Sequence, residues 1–313
     1  MIFKKGVHFI SKPILGGAEL VALNLAKESD SVVISIFRLQ KLKVEGYKIY
    51  GLFFLLKNIF FIKKTFSHTP ASYLFNSFLA LFLRYENIFV LHCRLNLIKR
   101  YLKVLRTTCK GKKIICISQS VLKECRKYFK SAELHLIENI PFHRVMENNN
   151  LLKEGPTKFF YIGRIATEKG ILEFIKYLKE SSMNNEVEII GFGSHDEIKL
   201  LNKINYEKLK IRGWQDNPYK FIAKNDVIII PSVSESFSLV LHEAILYGIR
   251  VYILDKTLLQ NISKKESLNV ILVNSFKEIH SHMFSNPPNN FVNKPIIDHT
   301  NDIKIWAARY NAL

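Results

Sequence analysis

Short apolar runs bounded by turn residues alternate along this chain with stretches whose apolar positions recur every three to four residues. The first pattern marks buried strands and the second amphipathic helices. Strands are predicted at Gly6–Ile10, Val32–Phe37, Tyr73–Phe75, Ile88–His92, Lys113–Ile117 and Leu134–Ile140. A second series follows at Lys158–Ile162, Val187–Ile190, Leu209–Arg212, Asp226–Ile230, Arg250–Leu254 and Val270–Val273. Helices are expected at Ala18–Glu28, Ser120–Phe129, Gly170–Glu180, His195–Ile204, Pro218–Lys224, Leu239–Tyr247 and Asp298–Ala312. Strand–helix alternation of this kind builds parallel sheets covered by helices, an α/β class.

The alternation pauses once, at Pro141, Glu147–Asn150 and Gly155–Pro156. Turn-rich, polar composition marks a linker. The expected organisation is a first domain over 1–141, a linker over 142–156 and a second domain over 157–297. The terminal helix, 298–313, is expected to pack back on the first domain. Two Rossmann-like α/β domains facing across a cleft would hold a ligand beyond the carboxyl ends of their strands.

The densest chemistry lies in Pro231–Ala244. A buried strand ends at Pro231, a small polar loop carries Glu235, and a helix begins near Ser238. The amides of Ser238, Leu239 and Val240 would stand at a helix N-terminus, a ready site for a diphosphate. Glu243 sits about a turn further along. Two carboxylates on either side of amide donors suit a nucleotide sugar, which offers hydroxyls at both ends and phosphates between. By itself the pattern also suits a surface helix with a capped start.

That stretch resembles the Glu, seven residues, Glu signature of the family 4 retaining glycosyltransferases, which have the GT-B fold. Other segments resemble the family's motifs in the same order. They are Gly16-Gly17-Ala18-Glu19, Ile117-Ser118, Glu138-Asn139-Ile140-Pro141, Gly163-Arg164, Glu168-Lys169-Gly170 and Gly191-Phe192-Gly193. The resemblance spans about residues 6–255. It implies that Arg164 and Lys169 neutralise the donor diphosphate, that Glu243 binds ribose and that Glu235 binds the transferring sugar. The loop at Gly16 and Gly17 would let backbone approach the donor phosphate or the acceptor closely, Gly163 would belong to the donor site, and His92 would lie near the sugar being moved. Ile140 departs from the family's glycine at that position.

The implied activity is transfer of a hexose, with retention, from a nucleotide diphosphate sugar, UDP-sugars being favoured. The acceptor would be a lipid-linked or oligosaccharide chain in bacterial surface-polysaccharide synthesis. No cofactor is expected, since the nucleotide sugar is a substrate. With no Asp-x-Asp clamp in the sequence, metal-independent transfer is expected. A sugar-nucleotide epimerase or a phosphorylase on the same fold would use the same donor residues. A basic nucleic-acid-binding protein is the alternative from another class, but no recognition motif accompanies the charge, so no nucleic-acid partner is expected.

Charge changes the picture of the partner. The chain carries +19, and its first 150 residues hold 25 basic against 9 acidic side chains. So uneven a distribution points to an anionic partner for the first domain. The aromatic, lysine-flanked segment Tyr47–Phe66 suits docking on an anionic membrane, with Lys41, Lys43, Lys48, Lys57, Lys63 and Lys64 around Phe53, Phe54, Phe60 and Phe61. It equally suits a buried core helix. No apolar run approaches the roughly 18 residues a spanning helix needs, and no leader pattern opens the chain. A cytoplasmic enzyme at the inner face of the plasma membrane is the expectation. Cys93, Cys109, Cys116 and Cys125 lack metal or disulfide spacing and read as free thiols.

Overall fold

The computed structural model describes residues 6–12, 16–39, 42–44, 47–141, 156–181, 183–232, 235–255, 258, 269–285 and 300–313. Of the expected linker, all but Pro156 lies outside them. The chain divides into two compact units, Met1–Ile140 with Thr300–Leu313, and Pro141–His299.

The first unit contains β1 (Val7–Ile10), α1 (Gly17–Ser29), β2 (Val32–Ser35), β3 (Leu42–Val44), β4 (Tyr47–Tyr50), α2 (Leu52–Asn58), β5 (Lys64–Ser67), α3 (Pro70–Leu79) and β6 (Glu86–Leu91). It continues with α4 (Lys99–Thr108), β7 (Lys113–Cys116), α5 (Gln119–Tyr128) and β8 (Glu133–Leu136). The sheet order is β3-β4-β2-β1-β5-β6-β7-β8, parallel except for the β3/β4 hairpin. The second unit comprises β9 (Phe159–Ile162), α6 (Ile171–Glu180), β10 (Val187–Ile190), α7 (His195–Lys203), β11 (Leu209–Gly213), β12 (Val227–Ile230), α8 (Leu239–Leu246), β13 (Arg250–Ile253), β14 (Val270–Leu272) and α9 (Phe276–Ser285). Its sheet, β11-β10-β9-β12-β13-β14, is parallel throughout. The last helix, α10 (Thr300–Asn311), returns to the first unit and packs on α1.

Local sequence explains these elements. The wholly apolar β12, Val-Ile-Ile-Ile, is buried along its length, as a central parallel strand covered on both faces requires. A reciprocal Ser194–Glu197 capping box starts α7, and the Ser118 hydroxyl caps α5.

Three expectations fail locally. Tyr73–Phe75 is not a strand but the middle of α3, because Thr69 and Ser72 form a capping box and Pro70 occupies the first turn. Tyr47–Phe66 is not one helix. It is β4, the two-turn α2, a 3₁₀ turn at Ile59–Phe61 and the start of β5. Pro218–Lys224 shortens to a single 3₁₀ turn, Pro218–Phe221.

In each sheet the winding direction reverses once. The chain moves from β9 outward through β10 and β11, then restarts on the other side with β12. In the first unit the reversal lies between β1 and β5. Such switch points open a crevice beyond the carboxyl ends of the two strands, because their connections leave in opposite directions.

Candidate functional site

The second unit's switch point collects the predicted donor residues. Gly163 and Arg164 follow β9 directly, Lys169 ends the 3₁₀ turn Thr167–Lys169, and Glu235 lies in the loop leaving β12. Lys169 Nζ stands 2.8 Å from Glu235 Oε1, both side chains partly shielded. Asp255, just past β13, accepts the Glu235 amide at 2.7 Å and anchors that loop from the neighbouring strand. Arg164 pairs with Glu168 at 2.7 Å on the surface, with both side chains about half exposed. Exposed pairs of this kind contribute about 0–1 kcal/mol, so the guanidinium can exchange partners freely.

Glycines set how closely these loops meet. Gly170 has φ +72°, and a Cβ there would lie 2.4 Å from the Pro231 carbonyl oxygen. At Gly191 a Cβ would fall 1.8 Å from the Gly163 carbonyl oxygen. The turn carrying Lys169 therefore rests backbone-on-backbone against the end of β12, and the β9 and β10 ends pack the same way. The motif glycines are a packing requirement at a crowded strand edge.

Helix α8 begins beside this loop. Ser238 is its N-cap, and its hydroxyl accepts from Leu241 N at 3.4 Å. Its φ is +61°, a left-handed conformation that costs a residue with a Cβ about 1 kcal/mol or more. The amides of Ser238, Leu239 and Val240 lie at the helix start, where backbone N–H groups have no carbonyl partner within the helix. Glu243 is buried, with only 4% of its surface exposed, and Tyr219 OH donates to its Oε2 at 2.7 Å. Tyr219 in turn stacks on Tyr247. Burial and the adjacent Glu243 carboxylate raise the Tyr219 phenol well above its usual range, so it remains a donor. Val233 and Ser234 lie outside the described residues.

The remaining predicted residues belong to the first unit. Gly16 caps α1 and Gly17 opens it, in the segment that follows β1. His92 is half-buried, immediately after β6. Its Nε2 lies 2.9 Å from His68 Nδ1, and His68 Nε2 lies 2.9 Å from His8 Nδ1. Cys109, Cys116 and Cys125 are buried free thiols and Cys93 is half-buried.

Asp255, Tyr219, His8 and His68 escaped the sequence reading. Asp255 carried a usable signal, a carboxylate directly after a buried apolar strand. The other three act through contacts between residues far apart in the chain, which no local pattern reveals.

The two parallel sheets with their covering helices have the GT-B architecture. Residues 144–273 match the family model described as glycosyl transferases group 1. The structure resembles Anabaena HepE in complex with UDP-glucose, with a TM-score of 0.75 and 14% identity, covering 98% of this chain and 99% of that one. It resembles sucrose-phosphate synthase from Thermosynechococcus elongatus equally, at TM-score 0.75, 14% identity and coverage of 99% and 98%. The lipopolysaccharide outer core galactosyltransferase WaaB, in its apo form, gives 0.61 at 16% identity over 97% and 94% of the chains. In sequence, 107 residues are 33% identical to an uncharacterized 41.2 kDa protein in the cps region of Klebsiella pneumoniae. That match spans 33% of this chain and 29% of the relative's length.

Proposed function

We propose that the protein is a retaining, metal-independent glycosyltransferase moving a hexose from a nucleotide diphosphate sugar, with UDP-sugars favoured. The observation that carries this reading is the assembly around the second switch point: a lysine ion-paired to a carboxylate, an exposed arginine after β9 and a helix start with a left-handed N-cap after β12. Glycosyl transfer expels a nucleoside diphosphate, whose charge grows as the bond breaks. Lys169, Arg164 and the amides of Ser238–Val240 stabilise that charge in the transition state more than in the ground state. Pairing to Glu235 pre-positions Lys169, and when donor binds the ammonium bridges carboxylate and phosphate. Glu235 then faces the sugar's hydroxyls, while Tyr219 holds Glu243 in one orientation toward the ribose. Gly16 and Gly17 let the start of α1 approach the donor, and His92 meets the transferring sugar.

The acceptor in this reading is a lipid-linked or oligosaccharide chain of a bacterial surface polysaccharide. The resemblance to a cps-region protein and the fold shared with a lipopolysaccharide galactosyltransferase support it. The first unit's charge and exposed aromatics support docking on the inner face of an anionic membrane. Among the described residues no helix is long and apolar enough to cross a membrane.

The test is a panel of nucleotide sugars scored by thermal stabilisation. A ligand at 100 times its dissociation constant adds about 2.7 kcal/mol, and UDP-hexoses should stabilise most. Release of UDP from the best donor should require acceptor and survive EDTA. Loss of activity in chelator with rescue by manganese would overturn the metal-free reading. Donor turnover without acceptor would favour an epimerase.

A further inference from the structure

His8 lies in β1, and His68 and His92 immediately follow the last residues of β5 and β6, the next two strands of the same sheet. His8 pairs with Phe66, so His68 lies two residues further toward the carboxyl edge. Phe66 pairs with Ile88, which places His68 level with Val90 and His92 two residues further again. A step of two returns the side chain to the same face of a strand. The three imidazoles therefore form a diagonal staircase from inside the sheet to its carboxyl edge. His8 and His68 are each 1% exposed, whereas His92 is half-buried. Successive ring centroids are 5.1 Å apart, and both N···N links measure 2.9 Å. His8 is held from behind by Phe66, stacked at 4.9 Å.

Hydrogen-bond inventory restricts this file severely. A neutral imidazole has one N–H donor and one acceptor nitrogen. Burial lowers His8 and His92 to about 3 and His68 well below 6.5, so all three are neutral near pH 7. Only two patterns satisfy both links. In one, every Nδ1 carries the proton; in the other, every Nε2 does. A mixed pattern sets two donors or two acceptors against each other.

We propose that His8 and His68 are positioning residues that commit Nε2 of His92 to the file and leave Nδ1 as its one substrate-facing nitrogen, with a single tautomer held along all three rings. The role of that Nδ1 rests on the reading above that His92 meets the transferring sugar. Among the described residues no side chain or backbone group bonds to it, as a nitrogen reserved for a ligand requires. The protonation sense of the file decides whether His92 offers the sugar a donor or an acceptor. Two buried residues, His8 inside β1 and His68 just past the end of β5, thereby set the chemistry offered by His92.

Long-range ¹H–¹⁵N correlation of the histidine rings in the full-length protein tests this directly. His8, His68 and His92 should each show one protonated and one bare ring nitrogen, in the same sense. Averaged nitrogen shifts for His92 in the wild type would overturn the file. His68→Leu should release His92 into mixed tautomers, while His68→Asn, whose amide stands near the old Nδ1, should hold it. A folded His68→Leu protein with an unchanged His92 spectrum would also overturn it. Adding UDP-glucose should shift His92 Nδ1 and leave the His8–His68 link in place. An intact file whose His92 nitrogen ignores UDP-glucose overturns its substrate-facing role, and the failure then belongs to the sugar-site reading.

Discussion

At the scale of single residues, the proposed donor site depends on what holds each charged group. Glu243 is buried and oriented by Tyr219. Glu243→Ala should abolish measurable UDP affinity by calorimetry, and Tyr219→Phe, which loses one hydrogen bond worth about 1 kcal/mol, should weaken it about fivefold. Unchanged affinity in Glu243→Ala would remove the ribose assignment. Lys169→Ala loses stabilisation of the leaving diphosphate worth about 3 kcal/mol, so turnover should fall roughly a hundredfold with the melting curve intact. Glu235→Ala leaves that lysine unpaired in a partly shielded site, so it should depress turnover through both side chains. Near-normal rates in Lys169→Ala would show that the lysine serves only the ion pair.

Elements show where sequence patterns carry information and where they stop. The α/β class was legible because β12, β13 and their neighbours are short apolar runs and the helices between them are strongly periodic. The loop from Pro231 to Ser238 was legible too, since a polar segment between a buried strand and a helix has few structures open to it. The segment Tyr47–Phe66 was not, because four elements of seven residues or fewer leave no period to count. Its structure sharpens the membrane proposal. Phe53, Phe60 and Phe61 are exposed, the last two by 85% and 69%, whereas Phe54 turns inward and stacks on Tyr50. Lys48, Lys57 and Lys63 are exposed, but Lys64 pairs with Glu86. Lys41 and the Lys43 side chain lie outside the described residues. At the end of α3, which shares a hydrophobic cluster with α2, Phe78 and Phe82 form a second exposed aromatic pair near the exposed Arg84. Each basic residue contributes about 1 kcal/mol at an anionic surface, fading over a Debye length of about 8 Å. Binding to phosphatidylglycerol vesicles should therefore fall steeply with salt, and Phe60→Ser with Phe61→Ser should weaken it at every salt concentration. Equal binding to neutral vesicles would defeat the proposal.

For the molecule as a whole, the two units should respond differently to acid. The first contains His8, His68 and His92 with native pKa values far below the unfolded value of about 6.5. Below that value the unfolded chain binds more protons than the native one. Stability is then complete above about pH 6.5 and falls as pH drops, by up to about 1.4 kcal/mol per unit for each histidine. In the second unit Asp226 has the opposite sign. Burial pushes its carboxyl up to about 6, against hydrogen bonds from the Ala223 and Lys158 amides. The native state holds that proton where the unfolded state has lost it, so between about pH 6 and 4 acid favours the fold. Calorimetry from pH 7 to 5 should show the first unit's transition moving down while the second's moves little. A common shift of both transitions would contradict these assignments.

Helix α10 gives this arrangement a consequence in time. Its Trp306 and Tyr310 are buried in the first unit, and Tyr310 meets Phe66 edge-on, the ring on which His8 stacks. During synthesis the strands of the first unit leave the ribosome early, but this last wedge comes after residues 141–299. At about 5–20 residues per second that interval is roughly ten to thirty seconds. Throughout it the nascent first unit has an open seam along α1 and no backing for the ring beneath His8. The second unit can finish folding inside that interval, so the unit made first is completed only after α10 has docked.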